Sequence, residues 1–187
     1  MVQRCFWCGD DPLYQAYHDH EWGKPNYDEQ HLFEMLCLEG QQAGLSWITV
    51  LRKRESYHQH FFQYPIAHIA AFTEAELAEK CLDKGLIRHI GKLTAIRDNA
   101  KAWCSLQMQG INVSEWLWQI VDHQPIMNTV DDDHPIPAST ALSTQLSKQL
   151  KKHGFKFVGP TTCYAFMQAC GMVNDHHNEC DFRFATA

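Results

Sequence analysis

Apolar residues along this chain recur at helical spacing, not at strand spacing. In "EQHLFEMLCLEGQQAGLSW", Leu32, Leu36 and Ala43 fall at i, i+4 and i+11. Residues at these offsets share one helix face, and Glu39 fills i+7 of the same stripe. The spacing therefore predicts a helix that aims a carboxyl group at the core. "LSWITVLRKRESYHQHFF" predicts a second helix, beginning near Ser46. Thr73 and Glu76 form a capping box for "EAELAEKCLDK", with Gly85 as its stop. "HIGKLTAIRDNAKAWCSLQ" predicts a long helix ending near Gly110, and "SEWLWQIVDH" a short aromatic one. "DDDHPIPAS" is a polar, proline-broken loop. "TALSTQLSKQLKKH" places Leu142, Leu146 and Leu150 four apart and stops at Gly154, and a final helix runs through "PTTCYAFMQACG". No sustained alternation, internal repeat or low-complexity tract occurs. The expected fold class is all-α, with residues 1–187 as a single domain or as two helical lobes joined near 128–138.

A buried, unpaired carboxylate is costly, so Glu39 has to be paired, protonated or used. From the pattern alone, a bond to a backbone group or a basic side chain is the commoner outcome.

With 187 residues, 45% hydrophobic and 12% aromatic, the chain can bury a full core without covalent staples. It contains no apolar run long enough for a membrane span. "MVQRCFWCGDD" has no apolar signal-peptide region, which points to a reducing cytoplasm. The eight cysteines then read as thiols and metal ligands, not disulfides.

Net charge is −6, weakly against a nucleic-acid partner. Its distribution reverses that. No Asp or Glu lies between His134 and Asn174, a window that holds Lys148, Lys151, Lys152 and Lys156. Within it, "LKKHGFKFVGPTTCYAFMQACG" reads as helix, tight turn, helix. Pro160 opens the second helix, where its missing N–H costs nothing. Such a start offers free N–H groups and a positive dipole end to an anion. Gly159 lets a backbone approach, Lys156 sits in the turn, and Thr161 adds a hydroxyl. These are the parts that hold a DNA phosphate without reading sequence. An ordinary corner between two helices carries the same glycine and proline; the lysines favour the phosphate.

Cys5, Cys8, His18 and His20 lie near one end, and His176, His177 and Cys180 near the other. Zinc accepts two thiolates and two imidazoles in a tetrahedron, and such a site would pin both ends of the chain. Spacing alone does not choose among these residues. A catalytic zinc hydrolase, with one ligand position open, is the rival reading.

The strings "DPLYQAYHDHEWGKP", "LFEMLCLEGQQAGLSWITVLRKRESY", "GLIRHIGKLTAIRDNA" and "GFKFVGPTTCYAFMQACGMVNDH" resemble the bacterial constitutive (type I) 3-methyladenine DNA glycosylases, from Arg4 to Cys180. The resemblance implies an all-helical member of the helix-hairpin-helix glycosylase superfamily. It implies one structural Zn2+ per chain, held by Cys5, His18, His176 and Cys180; Cys8 makes a competing C-x2-C with Cys5. It implies that Glu39 and Tyr17 are the catalytic side chains, with Trp47, Trp22 and Trp7 around the base. Taken singly, each tryptophan is more commonly a core residue. Gln42 and Leu45 would fill the gap left by a flipped base, although a core position suits Leu45 almost as well. Asp175 would take a supporting or capping role. The partner implied is alkylated double-stranded DNA, and the product free 3-methyladenine. No lysine is singled out as a Schiff-base nucleophile, so a monofunctional, monomeric enzyme without strand cleavage is expected. The alternative is a non-catalytic, zinc-stabilised helix-hairpin-helix DNA-binding module. The spacing of iron–sulfur glycosylases is absent.

Overall fold

The chain is described for residues 2–184 in a computed structural model, and ten α-helices make up about half of it. The helix at the centre is α2 (Glu29–Gln41), capped by the Asp28 side chain, which accepts from the His31 N–H at 2.8 Å. Every residue of α2 from Phe33 to Gln41 except Glu34 is buried. A helix enclosed on all sides needs no single apolar stripe. Glu39 is buried as expected, but for this reason. Ala43 lies beyond the helix end and is exposed, so it does not belong to a stripe with Leu32 and Leu36.

Around α2 pack α7 (Ile90–Met108), α10 (Pro160–Ala169) and α8 (Val113–Trp118), while α1 (Pro12–His20) and α3 (Trp47–Leu51) close one end. The expected helix from Ser46 through Phe62 is broken. It consists of α3, a short α4 (Arg54–Tyr57) and a π-turn at His58–Phe62. No glycine or proline causes the break. Two of its side chains are committed elsewhere: Arg54 bonds both Glu21 and Glu34, and the Tyr57 hydroxyl donates to Gln41 and accepts from the Ile87 N–H. Tertiary bonds override helical continuity here.

The segment after α5 (Ile66–Ala70) has the expected capping box. The Glu76 N–H donates to Thr73 Oγ1 at 3.2 Å, and the Thr73 N–H donates to Glu76 Oε2 at 2.8 Å. The helix, α6 (Glu74–Lys80), stops at Lys80 and not at Gly85. Gly85 is needed for a different reason: any Cβ there would collide with Ser56. α9 (Ala141–Lys152) ends before Gly154, whose φ of +89° supplies the left-handed stop. Pro160 occupies the first turn of α10, as read from the sequence. The expectation of no strands is corrected in one place: Ile126–Met127 (β1) pairs in parallel with Val173–Asn174 (β2). All eight cysteines are free, and no helix among the described residues is long and apolar enough to cross a membrane.

Gly171 ties α10 to the 23–26 segment. Its φ is +70°, and a Cβ would run into the Lys24–Pro25 backbone. Beside it, the Gly23 N–H donates to Gln168 O at 2.9 Å and the Asn26 N–H to Cys170 O at 3.0 Å. Left-handed strain and a backbone collision act together, so Gly171→Ala is expected to cost about 3 kcal/mol or more. A urea titration would show it as a lowered midpoint; a midpoint equal to the parent's would mean that the strap is not needed.

Candidate active site and metal cluster

Four helices, α1, α2, α3 and α10, and the segments flanking α1 build a cavity of about 240 Å³. α1 contributes Tyr14 and Tyr17, α2 contributes Glu39, and α3 contributes Trp47. Trp7 and Trp22 come from either side of α1. The rings interlock: Tyr17 and Trp47 centroids lie 5.5 Å apart, Trp7 and Trp22 4.7 Å, and Trp7 and Tyr14 5.1 Å. All five residues given to a base pocket by sequence reasoning therefore meet in one cavity.

Glu39 is 4% exposed, and no cation or hydrogen-bond donor among the described residues reaches its carboxyl group. Burial alone pushes its pKa up to about 8. The paired reading of Glu39 fails, leaving the protonated one and the used one. Tyr17 is raised well above its usual value by burial and then by Glu39, so its hydroxyl stays a donor. The indole N–H groups of Trp7 and Trp47 are buried without a partner.

Gln42, Ala165, Gln168 and Ile136 complete the lining. Sequence reasoning missed Tyr14, Ala165, Gln168 and Ile136. Tyr14 could have been found, since it lies three residues before Tyr17 on the same helix face. The other three arrive from α10 and from the 131–139 loop, with no local signal.

A second depression of about 210 Å³ shares Glu39, Gln42 and Ala165 with the first, and is also lined by Leu45 and Thr161. It joins the end of α2 to the start of α10. Leu45 is 41% exposed and not a core residue. Lys156 and Thr161 are exposed, as are Lys148, Lys151 and Lys152 on α9. The space where a Cβ of Gly159 would sit is open, so nothing blocks an approach to the first turn of α10.

Cys5, His18, His176 and Cys180 are all buried, and their ligand atoms lie within 4.8 Å of one another. Cys180 Sγ is 3.4 Å from His176 Nδ1 and 3.6 Å from His18 Nε2, and Cys5 Sγ is 3.6 Å from His176 Nδ1. A tetrahedron with usual zinc–sulfur and zinc–nitrogen bonds has sulfur–nitrogen edges of roughly 3.5 Å. The imidazoles are set by partners that can only accept. His18 Nδ1 donates to Asp19 Oδ1 at 2.8 Å, and His176 Nε2 donates to Trp22 O at 2.9 Å. Each ring therefore turns a lone pair towards the thiols. Arg4 fixes Asp19 through three bonds of 2.8–3.0 Å. The donor set fits a tetrahedral metal with no open position. Cys8 is outside the cluster, its thiol donating to Cys5 O at 3.1 Å, and so are His20 and His177.

The cluster also supports the cavity. Trp22 lies 4.7 Å from His176 and Trp7 lies 5.2 Å from His18, ring centre to ring centre. The tail after Cys180 braces it, with Phe182 against His18 and Arg183 bonded to His176 O. Asp175 makes no bond to the cluster. It accepts from Tyr164, Gln168 and Asn128 and so anchors α10 and β1.

A helical body that buries an unpaired carboxyl in an aromatic pocket is the build of a DNA base glycosylase. The sequence profile of the methyladenine glycosylase family matches residues 7–184, and the chain belongs to that family. It is 53% identical over 180 residues to the DNA-3-methyladenine glycosylase of Haemophilus influenzae, covering 96% of this chain and 97% of that one. It superposes on a crystal structure of 3-methyladenine DNA glycosylase I with a TM-score of 0.93 at 52% identity, over 99% of this chain and 100% of the other. The enzyme of that name from Staphylococcus aureus, whose structure addresses 3-methyladenine recognition, gives a TM-score of 0.93 at 34% identity, with 98% of each chain covered.

Proposed function

We propose that this protein repairs alkylated double-stranded DNA by flipping out 3-methyladenine and hydrolysing its N-glycosidic bond, leaving the strand intact. One observation carries the assignment of residues: Glu39 is buried, unpaired and walled by five aromatic rings. A methyl group on N3 makes the nucleobase cationic, so it departs as a neutral molecule with the bonding electron pair. Water then adds to the sugar carbon and loses a proton. Little protonation of the leaving group is needed; extrusion and holding of the base are the main tasks.

Glu39 meets the arriving cation. Alone, burial keeps it protonated at neutral pH. A positive purine beside it favours the carboxylate, which accepts from the adenine amino group. Tyr17 donates from the facing wall. Trp47, Trp22 and Trp7 add cation–π attraction of about 0.5–2 kcal/mol per face. Gln42 and Leu45 occupy the space left in the duplex, and Lys156, Gly159 and Thr161 hold the backbone phosphate at the start of α10. One Zn2+ at Cys5, His18, His176 and Cys180 supplies no reaction chemistry; with four protein ligands, it closes the chain ends together. The protein works as a monomer in the cytoplasm.

Incubation with methylated duplex DNA, followed by chromatography of the released bases, tests this reading. Free 3-methyladenine should appear, and borohydride should trap no protein–DNA adduct. Retention of DNA without base release would favour a binding module instead.

A further inference from the structure

Two buried polar side chains on α7 take no part in the pocket or the metal cluster. Lys92 is 6% exposed, yet it pairs with no carboxylate among the described residues. Its Nζ donates to Gln41 O at 2.9 Å and to Ala43 O at 2.6 Å. Gln41 returns a bond from Nε2 to Lys92 O at 3.0 Å and accepts from Tyr57. A buried ammonium is an expensive way to cap a helix end, because a glycine would serve. What it fixes is the turn that starts at Gln42.

Asn99 is 3% exposed. Its Oδ1 accepts from the Lys156 N–H at 2.7 Å, and its Nδ2 donates to Lys156 O at 3.3 Å. Both backbone groups of one hairpin residue are thus held by one side chain. The next residue, Phe157, has a φ of +54°, and it lies against Gly40, where a Cβ would come within 3.1 Å of it.

Lys92 and Asn99 are i and i+7 on one rigid helix, so they share a face about 10 Å apart along its axis. We infer that α7 sets the distance between the two DNA-contacting elements: Lys92 positions the 42–45 turn and Asn99 positions the phosphate-binding hairpin. The inference rests on the proposed roles of that turn and that hairpin. A flipped base reaches the pocket only if phosphate grip and gap filler act at a fixed separation. Both side chains are positioning residues; neither touches the base pocket.

The test uses the full chain and methylated duplex DNA, with kcat and KM measured separately. Binding of free 3-methyladenine, read by tryptophan fluorescence, reports the pocket alone. Asn99→Ala should raise KM for duplex roughly tenfold, and Lys92→Met should lower kcat by a similar factor. Both should bind the free base as the parent does. If Lys92→Met does not fold, Lys92→Gln keeps one donor and should lose less. Parental kcat and KM in both variants, with Leu45→Ala impaired, would overturn the inference and leave the DNA-face reading standing. So would free-base binding that falls in step with excision, because that pattern marks a general loosening. If Leu45→Ala and Lys156→Glu also excise normally, the DNA-face reading fails and takes the inference with it.

Discussion

Replacing Glu39 with glutamine is expected to lower 3-methyladenine excision by about 10²–10³-fold, the scale of removing one aimed polar group from a closed site. The same change should make the protein more stable in alkaline solution. Burial pushes the carboxyl pKa up to about 8 in the folded chain, against an ordinary value of 4.5. Between those values the folded chain holds a proton that the unfolded chain has released. Stability of the parent therefore falls as pH rises from about 4.5 to about 8, then levels. At about 1.4 kcal/mol per pH unit the ceiling is about 5 kcal/mol, and water in the cavity reduces the expected value to about 2 kcal/mol. Glutamine has no charge to desolvate. Urea melts of parent and variant should coincide near pH 4.5 and separate towards pH 8, with the variant higher. In the proposed mechanism the arriving cation needs the carboxylate, so kcat/KM of the parent should rise with pH to a plateau above about 8, while the variant's stays flat. Unchanged base release in the variant would reduce Glu39 to a structural residue, whatever the melts show.

Much of this arrangement could be read from local sequence, and the failures have physical causes. Capping chemistry is local, so Thr73–Glu76 and the Gly154 and Pro160 boundaries were visible. α1 gives no periodic apolar signal, because its buried residues are Tyr17, His18 and Asp19 instead of aliphatic ones. There, polar and aromatic side chains have replaced the apolar pattern that periodicity detects. The break after Leu51 is set by partners of Arg54 and Tyr57 that lie 16 to 33 residues away. Glu39 was placed correctly by an incomplete argument: Ala43 left the stripe, while enclosure of the whole helix buried the carboxyl group anyway. Spacing could not choose between His18 and His20. The structure does, since only His18 faces both its Asp19 partner and the Cys180 thiol. Ile136, Lys92 and Asn99 depend on contacts between distant segments and left no local trace.

Removing the metal is expected to have the second large effect. Elemental analysis should find one Zn2+ per chain in the parent and none in Cys180→Ala. Cys8→Ser should keep its zinc, because the Cys8 thiol is bonded to Cys5 O and lies outside the four-ligand group. Zinc-finger peptides gain about 10–16 kcal/mol from the ion, but they have no other core. Here a large hydrophobic core persists without it, so a loss on the order of 4–6 kcal/mol is expected. For a chain of this length that lowers Tm by roughly 10–20 °C. Limited proteolysis should then cut first near both ends, where Asp181 and Gln3 bond each other next to the cluster. Excision should fall as well, although the proposed mechanism gives the ion no step. His176 and His18 support the Trp22 and Trp7 walls, so free-base binding should weaken in parallel with base release. That parallel separates a staple from a reaction centre: a metal acting on the substrate would abolish excision while the pocket still bound the free base. A metal-free protein with the parent's Tm and intact ends would remove the staple altogether.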